Sequence, residues 1–393
     1  MVTRVTNTMM QNTLLSNLSM NLGRMDKLQN QLASGRKFGH ISDDPSALIY
    51  GQAARNKLHR LSHFQASVET SQSWLTQAES GVMELQKVSS AIYEELISAG
   101  GAKTPQDKQN LAKVVGQLRE HFVDTLNTSF GDRFVFAGYN TPGDFTTERA
   151  TDGVKPFAID EDGNLRLNGF NISQFDGWNA GEFDSIFRDI SIVGLDDADA
   201  EVEILTRLGF SADLVGATDF FNTHGISTED AIRMHRLMSD VKALDVAPGV
   251  EMPITMNGID VLFFTAVNEV PGGPPVIRNI FNVIQDIYDG INGLAPDDPL
   301  PTDDLTRMVK TIQDSQNHLL TKAAEIGGRQ RRLELLHARF EADHINYEQM
   351  RSDAEDADMA EVIMYLKMAE TVYQASLSAG ARIIQPTLMD FLR

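Results

Sequence analysis

The sequence contains no cysteine among its 393 residues. This absence excludes disulfides, thiolate metal sites and cysteine nucleophiles. The chain also lacks any run of about 20 apolar residues, the length that a membrane-spanning helix needs. Its first residues have neither the apolar segment nor the small-residue cleavage site of a secretory signal, so we expect no cleaved signal peptide.

Positive charge is scarce as well. The formal net charge is −21 at pH 7, so we expect neither nucleic acid nor an anionic membrane as a partner. Residues 144–230 carry 19 acids and five bases, whereas residues 1–37 carry five bases and one acid. Copies of so acidic a chain repel one another, so any self-assembly must be driven by apolar packing.

Proline is rare outside the middle of the chain. Only Pro45 and Pro105 precede residue 142, ten of the 13 prolines lie between residues 142 and 301, and only Pro386 follows. Because proline inside a helix costs about 3 kcal/mol, long helices are expected in the proline-poor ends.

We therefore predict a mainly α fold: a long helical coiled-coil rod built from both chain ends, with an inserted, mostly β (α+β) domain. The predicted domains are a terminal helical assembly domain (residues 1–42 and 352–393), a helical rod domain (43–133 and 274–351) and an acidic inserted domain (134–273).

Both ends of the chain carry apolar residues at helical spacing. The amino-terminal stripe consists of Leu15, Leu18, Leu22, Met25 and Leu32. The carboxy-terminal stripe consists of Val362, Leu366, Tyr373, Leu377 and Ile384. Each end has more apolar positions than one helix–helix seam uses, which favours contacts with further copies of the chain. The alternative is a conventional bundle in which the two ends pack only within the monomer.

Two helix boundaries are readable near the amino terminus. The first helix is expected to stop at Ser34 and Gly35, because glycine is common just past a helix end. Asp43 and Asp44 precede Pro45, and acids before a proline at the first helical position indicate the start of a second helix.

The predicted rod helices have their own apolar series. One helix is expected to reach Gly100, with an apolar and small-residue stripe from Leu61 to Leu96, and another is expected to start at Pro105. In the carboxy half every seventh residue from Leu305 to Tyr347 is apolar. The neighbouring heptad position is half polar, which suits a helix packed among several others better than a two-stranded zipper.

The middle of the chain contains short strand-like segments. We predict one hairpin at residues 160–164 (DEDGN) and a second at Asn257-Gly258, between PITM and VLFF. A single helix is predicted from Thr228 to Leu244.

Side chains that could carry chemistry are few. His59 and His63 have the i, i+4 spacing of a zinc pair but lack a third ligand nearby, so a solvated helix face is favoured. The acidic cluster at residues 196–203 lacks the spacing of a calcium loop. No phosphate loop, dinucleotide fingerprint or nucleophile elbow is present, so we expect neither a cofactor nor an enzyme.

Three arginines stand close together in IGGRQRRLE (residues 326–334). Arg329, Arg331 and Arg332 fit an anion or an acidic partner segment, and they fit ordinary helix-surface charge equally well.

Several segments together resemble the bacterial flagellin superfamily. At one end the resemblance rests on LASGRKFGHISDDPSAL (residues 32–48), and at the other on IGGRQRRLE and on residues 355–393. It covers about two-thirds of the chain. The start RVTNTMM, the segment SFGDRFVFAGYNTPGDF (residues 129–145) and the ending LMDFLR are similar to the hook-associated protein 3 branch, which forms the hook–filament junction. The acidic insert is not part of the resemblance.

The resemblance implies a structural role in the flagellum. The implied partners are hook-associated protein 1, flagellin, other copies of the chain in a ring, and a flagellar export chaperone. The implied location is extracellular, reached unfolded through the flagellar type III route, with the terminal helices ordering on assembly. A flagellin-type filament subunit is the alternative within the superfamily. A cytosolic coiled-coil scaffold, or an enzyme carried by the insert, is the alternative outside it.

Overall fold

The structure is a computed structural model that describes residues 7–39, 42–99, 105–131, 133–138, 155–184, 187, 227–239, 243–267, 273–292 and 302–384. The chain divides into two compact units. The first consists of Met1–His63 and Ala338–Arg393, and the second of Phe64–His337. The observed fold is mainly α with an inserted α+β region, as the sequence predicts. The three-domain boundaries proposed from the sequence stay a prediction.

The first unit is built on two terminal helices that pack together. Helix α1 covers Asn7–Ser34, and the last helix of the chain covers Met359–Ile384. Their shared core contains Leu28, Val362 and Ala369, with Met25, Leu32, Ala357 and Leu366 packed around it. At the far end of the pair, a Cβ on Gly380 would lie 2.6 Å from Leu14 Cδ2, so the helices approach closely there only because residue 380 is glycine.

Two long helices contribute to both units. Helix α2 covers Pro45–Ala99, and its start agrees with the predicted cap at Asp44 and Pro45. A second long helix covers Thr302–Glu355. In the second unit the predicted stripe of α2 is fully buried: Val68, Ser71, Leu75, Ala78, Val82, Leu85, Ser89, Ile92 and Leu96.

The heptad series of the Thr302–Glu355 helix is buried in its middle, from Ile312 to Phe340, while Leu305 and Tyr347 at its ends are half-buried. Ile312, Leu319, Ile326 and Leu333 have no exposed surface. Polar side chains flank this seam: the Gln313 amide donates to the Tyr93 hydroxyl at 3.0 Å, and the Gln330 amide donates to Glu79 Oε2 at 3.0 Å. The periodicity of both helices is therefore confirmed.

Helix α3 covers Pro105–Leu126, so its predicted start at Pro105 is confirmed. It packs on a helix that covers Ile280–Asn292. The Arg119 guanidinium lies 4.6 Å from the centre of the Tyr288 ring and donates to Gln285 Oε1 at 2.7 Å. Gly116 faces the same ring, because a Cβ there would lie 3.0 Å from it.

The inserted region holds four small antiparallel sheets among its described residues. Strands β1 (Ser129–Phe130) and β2 (Arg133–Phe134) form one, and β3 (Phe157–Ile159), β4 (Leu165–Leu167) and β5 (Phe170–Asn171) form another. Strand β6 (Ala243–Ala247) pairs with β7 (Val250–Pro253), and β8 (Phe263–Ala266) pairs with β9 (Val276–Asn279). The short helix α4 (Ala180–Phe183) follows β5, and α5 (Thr228–Ser239) precedes β6.

One hairpin prediction is confirmed and the other is wrong. Residues 160–164 join β3 to β4, with Gly163 at φ +85. Asn257 instead caps the short helix α6 (Gly258–Leu262), because its side chain accepts a hydrogen bond from the Ile259 N–H at 3.0 Å. Asparagine followed by glycine suits a helix start as well as a hairpin turn, and the flanking strands find other partners.

The predicted helix from Thr228 to Leu244 is too long. It ends at Ser239, and Ala243 begins strand β6. Pro248 and Gly249, with Gly249 at φ +70, turn the chain back so that residues 243–247 pair with β7. Strand pairing therefore overrides the helical propensity of residues 243–244.

A partly buried ion pair joins Asp176 of the inserted region to Arg278. The Asp176 carboxylate accepts a hydrogen bond from the Asn279 N–H at 2.5 Å and lies 3.2 Å from Arg278 Nε. Burial raises the pKa of Asp176 to about 6, although the neighbouring Arg278 guanidinium works in the opposite direction.

The remaining helices complete the numbering: α7 is Ile280–Asn292, α8 is Thr302–Glu355 and α9 is Met359–Ile384. No helix within the described ranges is long and apolar enough to cross a membrane.

Candidate assembly interface

Helices α1 and α9 present large apolar side chains to solvent even though the two helices pack together. Those on α1 are Met9, Met10, Leu15, Met20 and Leu22. Those on α9 are Met359, Ile363, Met364, Tyr365, Met368, Val372 and Leu377. We call these twelve residues the α1–α9 apolar face. So many exposed large apolar side chains on two neighbouring helices favour an interaction site there.

The predicted interface residues divide between the seam and this face. Val362 is buried between the helices, and Leu18, Met25, Leu32, Leu366 and Tyr373 are half-buried. Leu15, Leu22 and Leu377 are exposed. Ile384 ends α9, and its side chain lies outside the described residues. The stripes predicted from the sequence therefore contain residues that join the two helices and also residues of the α1–α9 apolar face, which stay exposed to solvent.

A groove with a volume of about 410 Å³ runs along the helix pair. Leu28 and Ala369, from the shared core, are among its lining residues. Tyr365, Met368 and Val372 line it from α9. The α1 lining is polar and cationic: Asn21, Arg24, Lys27 and Gln31. The groove thus offers an apolar side and a basic side to a partner.

The connectors next to α1 and α9 are joined by backbone hydrogen bonds. The Lys37 N–H donates to the Glu355 carbonyl at 2.7 Å, and the Ala357 N–H donates to the Gly35 carbonyl at 2.8 Å. Gly35 has φ +70 and its N–H donates to the Gln31 carbonyl at 2.8 Å, which ends α1 as predicted. We call residues 35–37 and 355–357 the terminal joint.

Glu355 holds the terminal joint to helix α2. Its side chain is almost fully buried and accepts a hydrogen bond from Arg55 at 2.5 Å. Gly51 leaves room for it, because a Cβ at that position would lie 2.8 Å from Glu355 Cγ. The Arg55–Glu355 pair raises the pKa of Arg55. A charge buried this deeply needs its partner, so Arg55, Gly51 and Glu355 act together.

Sequence reasoning missed this buried ion pair. Arg55 and Glu355 lie 300 residues apart, and each reads as an ordinary helix-surface charge. The usable signal was Gly51, since a glycine inside a helix often marks a close approach by a neighbour.

Asp43 and Asp44 have separate roles beside the joint. The Lys27 ammonium lies 2.9 Å from Asp43, which also accepts a hydrogen bond from the Gly39 N–H at 3.3 Å. Asp44 caps α2 by accepting hydrogen bonds from the N–H groups of Ser46 and Ala47. The hydrogen bond from Ala47, followed by that from the Ser46 hydroxyl, lowers the pKa of Asp44.

Two family models match the helical parts of the chain. The bacterial flagellin N-terminal helical region matches residues 5–141, and the bacterial flagellin C-terminal helical region matches residues 309–392. The chain belongs to the bacterial flagellin superfamily. Both helices of the α1–α9 apolar face, and both sides of the terminal joint, lie within the flagellin matches. Residues 142–308, which include most of the insert, lie outside them.

Individual relatives are more distant. Flagellar hook-associated protein 3 of Salmonella typhimurium is 27% identical over 147 residues, which are 35% of this chain and 44% of that protein. The chain thus matches less than half the length of this relative. A putative flagellar hook-associated protein from Vibrio parahaemolyticus has the same fold, with a TM-score of 0.51 and 14% identity over 80% of this chain and 100% of that chain. Flagellar hook-associated protein-3 from Legionella pneumophila aligns with a TM-score of 0.48 and 11% identity over 77% and 97% of the two chains.

The three arginines of the flagellin C-terminal match do not act as one cluster. Arg329 Nη1 lies 3.6 Å from Met256 Sδ, Arg331 pairs with Glu334 at 2.7 Å, and Arg332 is exposed. Within the described residues, no group of three or more His, Asp or Glu side chains could hold a metal ion. His59 and His63 lie on an exposed face of α2, and the acidic cluster at residues 196–203 lies outside the described residues.

Proposed function

We propose that this protein is a structural component of the bacterial flagellum, the junction adaptor that joins the hook-associated ring to the flagellin filament. The observation that carries the proposal is the α1–α9 apolar face: the helices of the two chain ends pack together and still expose twelve large apolar side chains. Membership of the flagellin superfamily and the resemblance to hook-associated protein 3 support this assignment.

The proposed partners follow from the position of a junction. We infer hook-associated protein 1 on the hook side, flagellin on the filament side, and other copies of this chain beside it in a ring. Before assembly a flagellar export chaperone is expected to cover the chain. The proposed location is extracellular, in the flagellum, reached by the flagellar type III route.

Apolar burial supplies the driving force for this assembly. Burying one Met, Leu or Ile side chain contributes about 1.5–3 kcal/mol, and the α1–α9 apolar face has twelve large apolar side chains to bury. This gain opposes the entropy lost when helices order and subunits associate. It also opposes the repulsion between copies that each carry a net charge of −21. The role needs packing and no reaction, so we expect no enzymatic activity.

A filament subunit is the second candidate, because the two family models that match the chain are named for flagellin. Both candidates would use the same terminal helices. They differ in copy number and position, because an adaptor occupies only the boundary whereas a filament subunit extends along the whole filament.

Immunogold labelling of isolated flagella separates the two candidates. Label confined to the hook–filament boundary is the expected result, and label along the filament would favour the filament subunit. Deletion of the gene should give cells that release flagellin into the medium and carry no attached filaments. Normal attached filaments in the deletion strain would rule out the junction role.

A matched pair of variants tests the surface itself. Leu377→Asp places a charge on the α1–α9 apolar face, and Val267→Asp places one on an exposed apolar position of the insert. Only Leu377→Asp should fail to restore filaments in the deletion strain, because its charge would be buried at a subunit contact. Equal restoration by both variants would contradict the assignment of this face.

A further inference from the structure

The methionines of this chain are concentrated in the two terminal helices. Helices α1 and α9, with 28 and 26 residues, hold seven of the 16 methionines in 393 residues. Six of the seven belong to the α1–α9 apolar face: Met9, Met10, Met20, Met359, Met364 and Met368. Methionine therefore makes up half of that face.

These six methionines differ from those of the inserted region in their exposure. Each of the six is between 41% and 62% exposed. In the insert, Met234, Met252 and Met256 are at most 2% exposed. A reagent in solution thus reaches the six thioethers of the face before it reaches these three.

The absence of cysteine makes the thioethers the most oxidisable groups of the chain. A peroxide oxidises methionine when the sulfur lone pair attacks one peroxide oxygen and the O–O bond breaks. The sulfur gains that oxygen as a sulfoxide, and hydrogen peroxide is reduced to water. No thiol in the chain competes for the oxidant, and the product is polar where the reactant was apolar.

We propose that the six exposed methionines form an oxidative modification site that controls assembly. Peroxide converts them to sulfoxides in the unassembled subunit, and the α1–α9 apolar face then loses the apolar character that docking requires. Packing against neighbours removes the thioethers from solvent, so assembled subunits resist oxidation. This inference rests on the proposed function, because it takes the α1–α9 apolar face as the assembly surface.

Met368 shows how one added oxygen acts. Its side chain lines the groove together with Tyr365 and Val372. A sulfinyl oxygen brings a polar group to the apolar side of that groove, and where docking buries it away from the donors of α1 it would weaken docking by about tenfold, the usual cost of an unpaired buried polar group. Several such oxygens on one face compound the loss.

The first experiment maps where peroxide acts. Purified full-length protein is treated with hydrogen peroxide, and sulfoxide formation at each methionine is followed by peptide mass spectrometry. The six methionines of the face, together with Met350 of α8, which is 44% exposed, should be oxidised first, and Met234, Met252 and Met256 last. Equal rates at both groups would overturn the site. The fluorescence of Trp74 and Trp178, both in the second unit, checks that the treated protein stays folded.

The second experiment measures assembly. Treated and untreated protein is added to isolated hook structures from the deletion strain, and the bound fraction is measured after sedimentation. Oxidised protein should bind at least about tenfold less, and reduction of the sulfoxides by methionine sulfoxide reductases should restore binding. A variant with all six methionines changed to leucine keeps the apolar volume, and should bind equally well before and after peroxide.

A second variant serves as the matched control. Met238→Leu and Met308→Leu together alter two half-buried methionines of the second unit and should leave the peroxide sensitivity unchanged. Full binding by oxidised wild-type protein, or undiminished peroxide sensitivity in the six-leucine variant, would overturn the modification site alone. Failure of untreated protein to bind would overturn the proposed function, and the modification site with it.

Discussion

Two regions of the molecule have apolar side chains at helical spacing: the helix pair α1–α9, and the parts of α2 and α8 that lie in the second unit. They differ in how far those side chains are buried. Nine successive stripe positions of α2 are completely buried, from Val68 to Leu96. The α1–α9 pair buries only Leu28, Val362 and Ala369 in its core and leaves twelve large apolar side chains exposed. One region closes its core within the chain, and the other leaves apolar surface for neighbours.

The difference separates the part of the chain that stabilises itself from the part that we propose assembles. A closed core supplies stability that does not depend on concentration, whereas an open face gains stability only when copies meet. We therefore expect the second unit to fold alone and the terminal helices to depend on their partners.

The largest expected effect comes from shortening one leucine side chain to alanine in each of the two regions and comparing the free energies of unfolding. Leu85→Ala in the closed core should lower the free energy of unfolding by about 2–5 kcal/mol, because it leaves a cavity. Leu22→Ala on the exposed face should change it by less than about 0.5 kcal/mol. Urea denaturation followed by circular dichroism measures both variants. Equal destabilisation would mean that α1 is held as tightly as α2.

The pH dependence of the unfolding free energy gives a second test of the second unit, through Asp176. The pKa of Asp176 in the folded chain is about 6, above its ordinary value of 3.8, so folding favours the protonated carboxyl. The contribution of Asp176 to stability is therefore full below about pH 4 and is lost as the pH rises through about 6. From pH 4 to pH 7 this loss should amount to about 2 kcal/mol.

Asp176→Asn isolates that contribution. The difference in unfolding free energy between wild type and variant should fall across this range, while the titration of other carboxyls cancels between the two proteins. The fluorescence of Trp178, two residues away, reports the unfolding of this region. A difference that stays constant from pH 4 to pH 7 would refute the raised pKa.

Helical periodicity predicted the closed region well and the open region incompletely. Every seventh residue of α8 from Leu305 to Tyr347 is apolar, and the middle of this series, including Ile312, Leu319, Ile326 and Leu333, is buried, although its two end residues are half-buried. Each terminal stripe was expected to exceed one helix–helix seam, but the sequence did not show which residues the seam takes: Val362 is buried in it whereas Leu377 is exposed. Periodicity identifies a helix with an apolar stripe, but it does not say how much of that stripe a neighbour covers.

Local signals failed where a distant contact decides the structure. Asn257-Gly258 has the sequence of a hairpin turn, but the neighbouring strands pair with β6 and β9 and leave Asn257 to cap α6. Arg55 and Glu355 gave no local sign of their pairing, because only the fold brings them together. Short-range chemistry offers alternatives, and packing across the chain selects among them.

Two separate glycine-to-alanine substitutions test the terminal joint, with a smaller expected effect on the free energy of unfolding. Gly51→Ala pushes a methyl group into Glu355 and should cost about 1–3 kcal/mol by displacing the carboxylate from Arg55. Gly23→Ala lies in α1 with nothing within 4 Å and should instead stabilise the chain by about 0.5–1 kcal/mol. Hydrogen exchange at the Lys37 and Ala357 amides, which cross the joint, should accelerate only in Gly51→Ala. Unchanged exchange there would show that Glu355 does not hold the joint.

The smallest effect on stability should accompany the clearest effect on assembly. Val362 and Ile363 are neighbours on α9, but Val362 is 7% exposed and Ile363 is 46% exposed. Ile363→Asp should change the unfolding free energy by less than about 0.5 kcal/mol and still prevent incorporation at the junction, because the charge would be buried only after docking. Val362→Asp places the same charge inside the α1–α9 core and should disrupt the helix pair already in the monomer, which faster hydrogen exchange along α1 would reveal. If Ile363→Asp incorporates normally, the exposed side of α9 is not a docking surface, and the open region would owe its exposed apolar residues to something other than assembly.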